Sequence, residues 1–321
     1  MAWIADSVRL RWLVVLGATT PLLLCEAGLR LWGPDELTST RKRHDAALPG
    51  GQDGALEEDE TLGYRPVPGG SLYAEHGALR NGYALEKTAT SRRLLFLGDS
   101  VTRRAQIVAG LHAELGETCE YWNAGVEGWS TWQEVEYYRR ELQPIEADHV
   151  VLTFHLNDFL STPVTFLDGD AVVTVRAHGE VFRPIPWLWE LSYFYRFTQY
   201  RELARSDKAQ WNDTTTASEE IERSLCELRD LTRARGAELT VLVLPWLRER
   251  ALWPGSLPRK HERVVEMLQR LEIRHFTFLT ELDEALAAGE EVQEKPRDPQ
   301  HPGTTFGRRM ARAMIADGFL P

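Results

Sequence analysis

Five short apolar runs, each followed by a stretch of helical periodicity, constrain this chain more than any other feature. They are RRLLFLG (92–98), CEYWNAG (119–125), DHVVLTFH (148–155), AELTVLVLP (237–245) and IRHFTFL (273–279). Each is too short for an ordinary buried helix, and most are bounded by charge, glycine or proline. Between and after them, Val101–Leu115, Thr131–Leu142, Glu219–Arg235, Arg259–Leu271 and Thr304–Asp317 place apolar residues at helical spacing. Parallel neighbours need crossovers of this kind. A run such as VLVLP, apolar throughout, belongs to a strand covered on both faces. The expected fold is therefore α/β: a three-layer α/β/α sandwich around a five-stranded parallel sheet.

The rest of the chain divides around that pattern. WLVVLGATTPLLLC (12–25) is uncharged, and its apolar character runs on to Trp32 with Glu26 and Arg30 as interruptions. About 20 residues cross a bilayer, so 1–32 is expected to be an uncleaved N-terminal transmembrane helix, with those two charges at the headgroups. Leu24 stands where a lipoprotein signal needs a small residue before Cys25, and no small-x-small cleavage site follows the apolar core. Arg9 and Arg11 precede the span while Arg30, Arg41, Lys42 and Arg43 follow it, so charge does not set its orientation. Residues 33–61 are polar and aperiodic and are expected to be a linker. The domain is expected from Leu62 to the C-terminus, with an aromatic-rich insertion over about 159–216. Within that insertion, 165–182 suits a hairpin and WLWELSYFYRFTQYRELAR (187–205) a helix, packed on the domain or covering a binding pocket.

Composition removes several functions. The net charge of -11 and the lack of any basic, aromatic-interleaved face exclude a nucleic-acid partner. Cys25, Cys119 and Cys226 lie far apart, without CxxC spacing, and the histidines are scattered, so neither a zinc site nor any other metal or cofactor is expected. No HExxH, Walker A, GxGxxG or GxSxG occurs.

Chemistry gathers instead at the strand ends. Gly98-Asp99-Ser100 closes the first strand and NAGVEGWST (123–131) the second. HLND (155–158) closes the third, and DPQHPG (298–303) precedes the last helix. In open α/β sheets that edge is where ligands bind. Taken singly, Ser100 is a helix cap, Gly125 a turn residue, Asn157 a loop cap and His301 part of a proline-punctuated loop. Four such coincidences in one edge do not follow from capping. A serine hydroxyl needs a base to take its proton, and an imidazole titrates where it can accept and return one. Asp298, three residues before His301, is placed to hold the imidazole tautomer.

These four blocks resemble those of the SGNH/GDSL hydrolase superfamily, with Ser100, Gly125, Asn157 and His301 in the family order, and LGYRPVPG (62–69) resembles the lead-in of membrane-anchored bacterial relatives. The resemblance implies a flavodoxin-like sheet in the order 2-1-3-4-5 and catalysis by Ser100, Asp298 and His301. It implies an oxyanion hole from the N–H groups of Ser100 and Gly125 and the Asn157 amide. It further implies a serine esterase or acyl transferase acting through a seryl ester, without cofactor, on an O-acylated carbohydrate, with the catalytic domain outside the cytoplasm. A lipid esterase, or an inactive scaffold subunit of an envelope assembly, are the alternatives. The third block departs from the family, with His155 where a glycine is usual. His155 is expected to be structural or substrate-facing rather than the base, since it lacks an acid partner equivalent to Asp298.

Overall fold

The computed structural model describes residues 17, 19–33, 55–59, 61–88, 92–159, 164–168, 171–175, 181–182, 185–199, 201 and 216–320. Its centre is the strand β3, Arg93–Gly98, buried at every position because sheet and helices cover it on all sides. Two strands precede it, β1 (Leu56–Asp59) and β2 (Gly63–Pro66), which form an antiparallel hairpin. After it come β4 (Glu120–Asn123), β5 (His149–Phe154), β9 (Glu238–Val243) and β10 (Arg274–Phe276). These five strands make one parallel sheet in the order β10-β9-β5-β3-β4. Numbered by their place in that sheet, they stand 2-1-3-4-5, as expected. Helices Gln106–Leu115, Leu279–Ala287 and Thr304–Ala316 pack together, as do Thr131–Tyr137, Thr216–Ala234 and Leu257–Arg270, giving the outer layers.

The sheet order fixes where a site can form. The chain passes from β3 outward to β4, then returns to the other side of β3 for β5. The carboxyl ends of β3 and β5 therefore flank the point where the winding reverses, and a crevice opens there.

Several expectations change at element ends. Val101–Leu115 is not one helix: a first turn, Ser100–Arg103, stops before Gln106–Leu115 because Ala105 adopts a left-handed conformation at φ 60°. The fifth strand ends at Phe276 rather than Leu279, and Phe278 at φ 54° opens the next helix. Part of the expected linker is ordered, since β1 pairs with β2 and Ala55 and Leu56 are buried. The lead-in from 62 to 88 then wraps the β4 end of the sheet. Tyr73 is buried and its hydroxyl donates to Gly125 O at 2.9 Å, while Gln133 Nε2 donates to Leu62 O at 2.7 Å.

The insertion carries three antiparallel strands, β6 (Val164–Asp168), β7 (Ala171–Val175) and β8 (Val181–Phe182), one more than a hairpin. The expected helix 187–205 is two pieces, Pro186–Leu191 and 193–199, separated by extended Ser192. The break has a cause 166 residues away. Glu26 accepts hydrogen bonds from the Ser192 hydroxyl and from the N–H groups of Tyr193 and Phe194, all at 2.9 Å. It thereby satisfies the opening of the second piece. Arg30 pairs with Glu26 at 2.7 Å and lies over the Tyr193 ring at 4.6 Å. The two charges thus engage the insertion, where headgroup contacts were expected.

Much of the expected membrane span lies outside the described residues. The described part is a helix over 19–32 that exposes Leu22, Leu23, Leu24, Leu31 and Trp32. Among the described residues no helix is long and apolar enough to cross a membrane.

Candidate active site

The site is assembled at the carboxyl edge of the sheet from three successive strand ends and one late loop. Ser100 opens the short turn after β3. Asp99 before it accepts from Val101 N–H at 2.9 Å, which fixes the turn's start and leaves the Ser100 side chain half-buried at its tip. Gly98 permits the tight entry: its φ is 148°, and a Cβ there would lie 2.1 Å from Thr102 Oγ1 and 3.1 Å from Thr153 O. The loop carrying Asp298 and His301 is held against the end of β9. Leu247 N–H donates to Pro299 O at 2.9 Å, and Gln293 Nε2 donates to Leu247 O at 2.8 Å.

Across 201 residues of sequence, Ser100 Oγ meets His301 Nε2 at 2.8 Å. The other ring nitrogen, Nδ1, faces the Asp298 carboxylate, 2.8 Å from Oδ2 and 3.0 Å from Oδ1. The carboxylate fixes Nδ1 as the protonated nitrogen, which leaves Nε2 as an acceptor toward the serine. Burial acts to raise the Asp298 carboxyl, but hydrogen bonds from the His301 ring and from the Gln300 and His301 N–H groups outweigh it. The net result lies below the ordinary carboxylate value. Arg104 stands 3.7 Å from Asp298 and 2.5 Å from Glu294, a further cation at the back of the loop.

The three oxyanion donors suggested by the resemblance are not equally free. Ser100 N–H opens a helical turn, where the first N–H groups have no intrahelical acceptor. Asn157 lies in the 3-10 turn Leu156–Phe159 after β5, and its Nδ2 donates to Asp99 Oδ2 at 3.1 Å, leaving its second hydrogen available. Gly125 N–H, by contrast, donates to Asn123 Oδ1 at 2.9 Å. Gly125 is needed here for a second reason: a Cβ would sit 2.3 Å from Arg103 N and 2.8 Å from Thr102 C. Asn123 completes the clamp by donating from Nδ2 to Thr102 O at 2.7 Å.

His155 is fully buried, lies over Trp246 with a centroid separation of 6.2 Å, and meets Asn157 rather than Ser100. The ring nitrogen that meets Ser100 belongs to His301, and the His155 ring is enclosed with Nδ1 toward Asn157. Beneath the site sit Glu134 and Asp158, both buried. Burial, then the charges of Asp158 and Asp99, push the Glu134 carboxyl well above its ordinary value, and burial with Asp99 does the same to Asp158. Asp158 accepts from Thr131 Oγ1 at 3.0 Å. Among the described residues no group of histidine, cysteine and carboxylate side chains could hold a metal ion.

Sequence reasoning placed Ser100, Asn157, Asp298 and His301 at one edge, and all four meet there. It missed Asp99 and Asn123 as the residues that hold the others. Both stood inside quoted motifs, so the signal was a polar residue one or two positions from a strand end whose backbone must turn.

No protein-family model matches the sequence, and no curated protein does. Solved structures of related architecture are found at low identity. Axe2, an acetylxylan esterase from Geobacillus stearothermophilus, is 14% identical with a TM-score of 0.46, covering 73% of this chain and 98% of its own. LAE5, an alpha/beta hydrolase enzyme from the metagenome of Lake Arreo, is 15% identical with a TM-score of 0.47, covering 71% and 95%.

Proposed function

We propose that this chain is a serine-dependent ester hydrolase or acyl transferase. The observation that carries the reading is the Ser100–His301–Asp298 relay, a contact of 2.8 Å between residues 201 positions apart followed by a second of 2.8 Å to the carboxylate three residues before the histidine. A helix cap has no use for an imidazole on its hydroxyl, and a structural histidine has no use for a serine at a strand end.

The reaction follows from these groups. Ser100 Oγ bonds to the acyl carbon as its proton moves to His301 Nε2, and the carbonyl π electrons move onto oxygen. The resulting oxyanion is met by Ser100 N–H and the second hydrogen of Asn157 Nδ2. Gly125 N–H can join only by sharing with Asn123. Asp298 stabilises the imidazolium without taking its proton. The bond to the alkoxy oxygen then breaks, and the leaving alcohol takes the proton from Nε2. Water, or a hydroxyl of an acceptor sugar, attacks the seryl ester by the reverse sequence, with His301 again as base.

An O-acylated carbohydrate is the proposed substrate class, on the strength of the sequence resemblance. We place the domain outside the cytoplasm on the same ground, and held at a membrane by the N-terminal segment on the ground of its apolar run from Trp12 to Trp32. The test is direct. Purified protein should be labelled by a fluorophosphonate and should release p-nitrophenol from p-nitrophenyl acetate. Ser100→Ala and His301→Ala should lose both, by at least about 10³-fold in kcat. Acetylated xylo-oligosaccharides with and without a sugar acceptor then separate hydrolysis from transfer. A wild-type protein that takes no label and turns over no ester would leave the scaffold reading in its place.

A further inference from the structure

Asn157 can aim a donor at a reacting carbonyl only if its amide is the right way round. Its Oδ1 and Nδ2 ends are nearly isosteric, and a flip would turn an acceptor toward the oxyanion. Asp99 settles one side, since a carboxylate oxygen 3.1 Å away can only accept. Asp99 is itself fixed through its other oxygen by Val101 N–H. On the opposite side, His155 Nδ1 lies 2.7 Å from Asn157 Oδ1. That contact is a hydrogen bond only if Nδ1 carries the proton, which makes Nε2 the bare nitrogen; the Asn157 backbone N–H also faces Nδ1, but at 3.5 Å it is too long to compete. Nε2 is buried and has no hydrogen-bond partner among the described residues, the arrangement that costs least for a lone pair.

We propose that His155 is a positioning residue for the oxyanion donor: its Nδ1–H holds Asn157 Oδ1, so that Nδ2 gives one hydrogen to Asp99 and keeps the other for the developing oxyanion. The proposal rests on Ser100 being the nucleophile. A glycine at 155, the residue usual in the resembling family, has no side chain to make this contact. Trp246 fixes the ring's orientation from the far side, with the two planes 25° apart. Donation runs in one sense from His155 through Asn157 to Asp99, so each bond strengthens the next. Burial lowers the His155 pKa, with His301 acting in the same sense and Asp99, Asn157 and Asp298 opposing.

The experiment uses the full-length protein and p-nitrophenyl acetate, comparing wild type with Ser100→Ala, Asn157→Ala, His155→Leu, His155→Asn and the double variant His155→Leu/Asn157→Ala. Leucine keeps bulk without a donor, whereas asparagine places an amide N–H near the position of Nδ1. Removing one oxyanion donor typically costs about 10²–10³ in kcat, so letting that donor turn away should cost about tenfold or more. His155→Leu is expected to lower kcat by that amount with KM within about twofold. His155→Asn should recover most of the loss, and in the Asn157→Ala background His155→Leu should cost nothing further. Equal losses in the leucine and asparagine variants, an effect on KM alone, or an undiminished loss in the Asn157→Ala background would each overturn the proposal. If the leucine variant does not fold, His155→Asn decides alone: near wild-type kcat supports the proposal, and a tenfold loss sinks it. Full turnover by Ser100→Ala would overturn the active-site reading and this inference together. A dead Ser100→Ala beside an unaffected His155→Leu would overturn this inference only.

Discussion

Gly125→Ala puts the geometry of the site under the sharpest test, because the added methyl meets backbone rather than a side chain that could swing away. The new Cβ would stand 2.3 Å from Arg103 N, 2.8 Å from Thr102 C and 2.9 Å from Arg103 Cα. Ordinary contact begins near 3.4 Å, so the loop after β4 and the turn after Ser100 must separate by roughly 1 Å. That movement pulls against Asn123 Nδ2–Thr102 O at 2.7 Å and against the Tyr73 hydroxyl on Gly125 O. Overpacking of this kind costs about 1–3 kcal/mol of stability. The larger effect falls on rate, since a misplacement of about 1 Å in a reacting group can cost about 10²-fold. The assay is kcat/KM for p-nitrophenyl acetate beside thermal unfolding. Gly289→Ala serves as the control: its φ is 70° but nothing lies within 4 Å, so it should lose about 1–2 kcal/mol of stability and no activity. If Gly125→Ala kept its rate within about threefold while unfolding cooperatively, the clamp would not be what sets the serine's position.

Two more outcomes can be measured, the first resting on the described structure and the second on the proposed membrane anchor. Glu134 is held protonated in the fold but ionises when unfolded above about pH 4. Folding therefore takes up a proton, and stability falls as pH rises from there through the raised folded value. Glu134→Gln should flatten that decline, raising Tm at pH 8 by more than at pH 5, and an equal shift at both would refute the assignment. The full-length protein should pellet with membranes and resist alkaline carbonate, with a reporter fused after Pro321 on the outer side. A soluble full-length protein, or a mature chain beginning after Cys25, would remove the anchor.

What the sequence made legible was whatever depends on short-range pattern. The runs at β3, β5 and β9 are apolar because both faces are covered, so strand type and parallel pairing could be read, while the sheet order came from the family resemblance. Ser100 and Asn157 were legible for a related reason, since a polar group at the end of a buried strand needs an explanation, and His301 through the Asp298 three residues before it and the family resemblance. Contacts closed across the chain were not legible. Nothing local says that Asn123 turns back on Gly125, that Tyr73 reaches the same loop, or that Glu26 splits the aromatic helix at Ser192. Ala105 broke a periodicity that looked continuous, because apolar spacing does not register a single residue turned left-handed. His155 announced itself only as a departure from a familiar pattern, and its partner had to be seen.

The distance in sequence between Ser100 and His301 has a consequence for the protein's birth. The serine and its strand leave the ribosome with 201 residues still to be added before the base exists. At about 5–20 residues per second that interval lasts about 10–40 s. Throughout it the nucleophile is an ordinary alcohol, and β9, whose end pins the loop of His301, has yet to join the sheet for most of that time. A chain that stalls or is clipped anywhere before residue 301 can be folded through its central strands and still be chemically silent. On the proposed mechanism, Ser100 gains its base only after residue 301 has been added and its loop has docked against the end of β9.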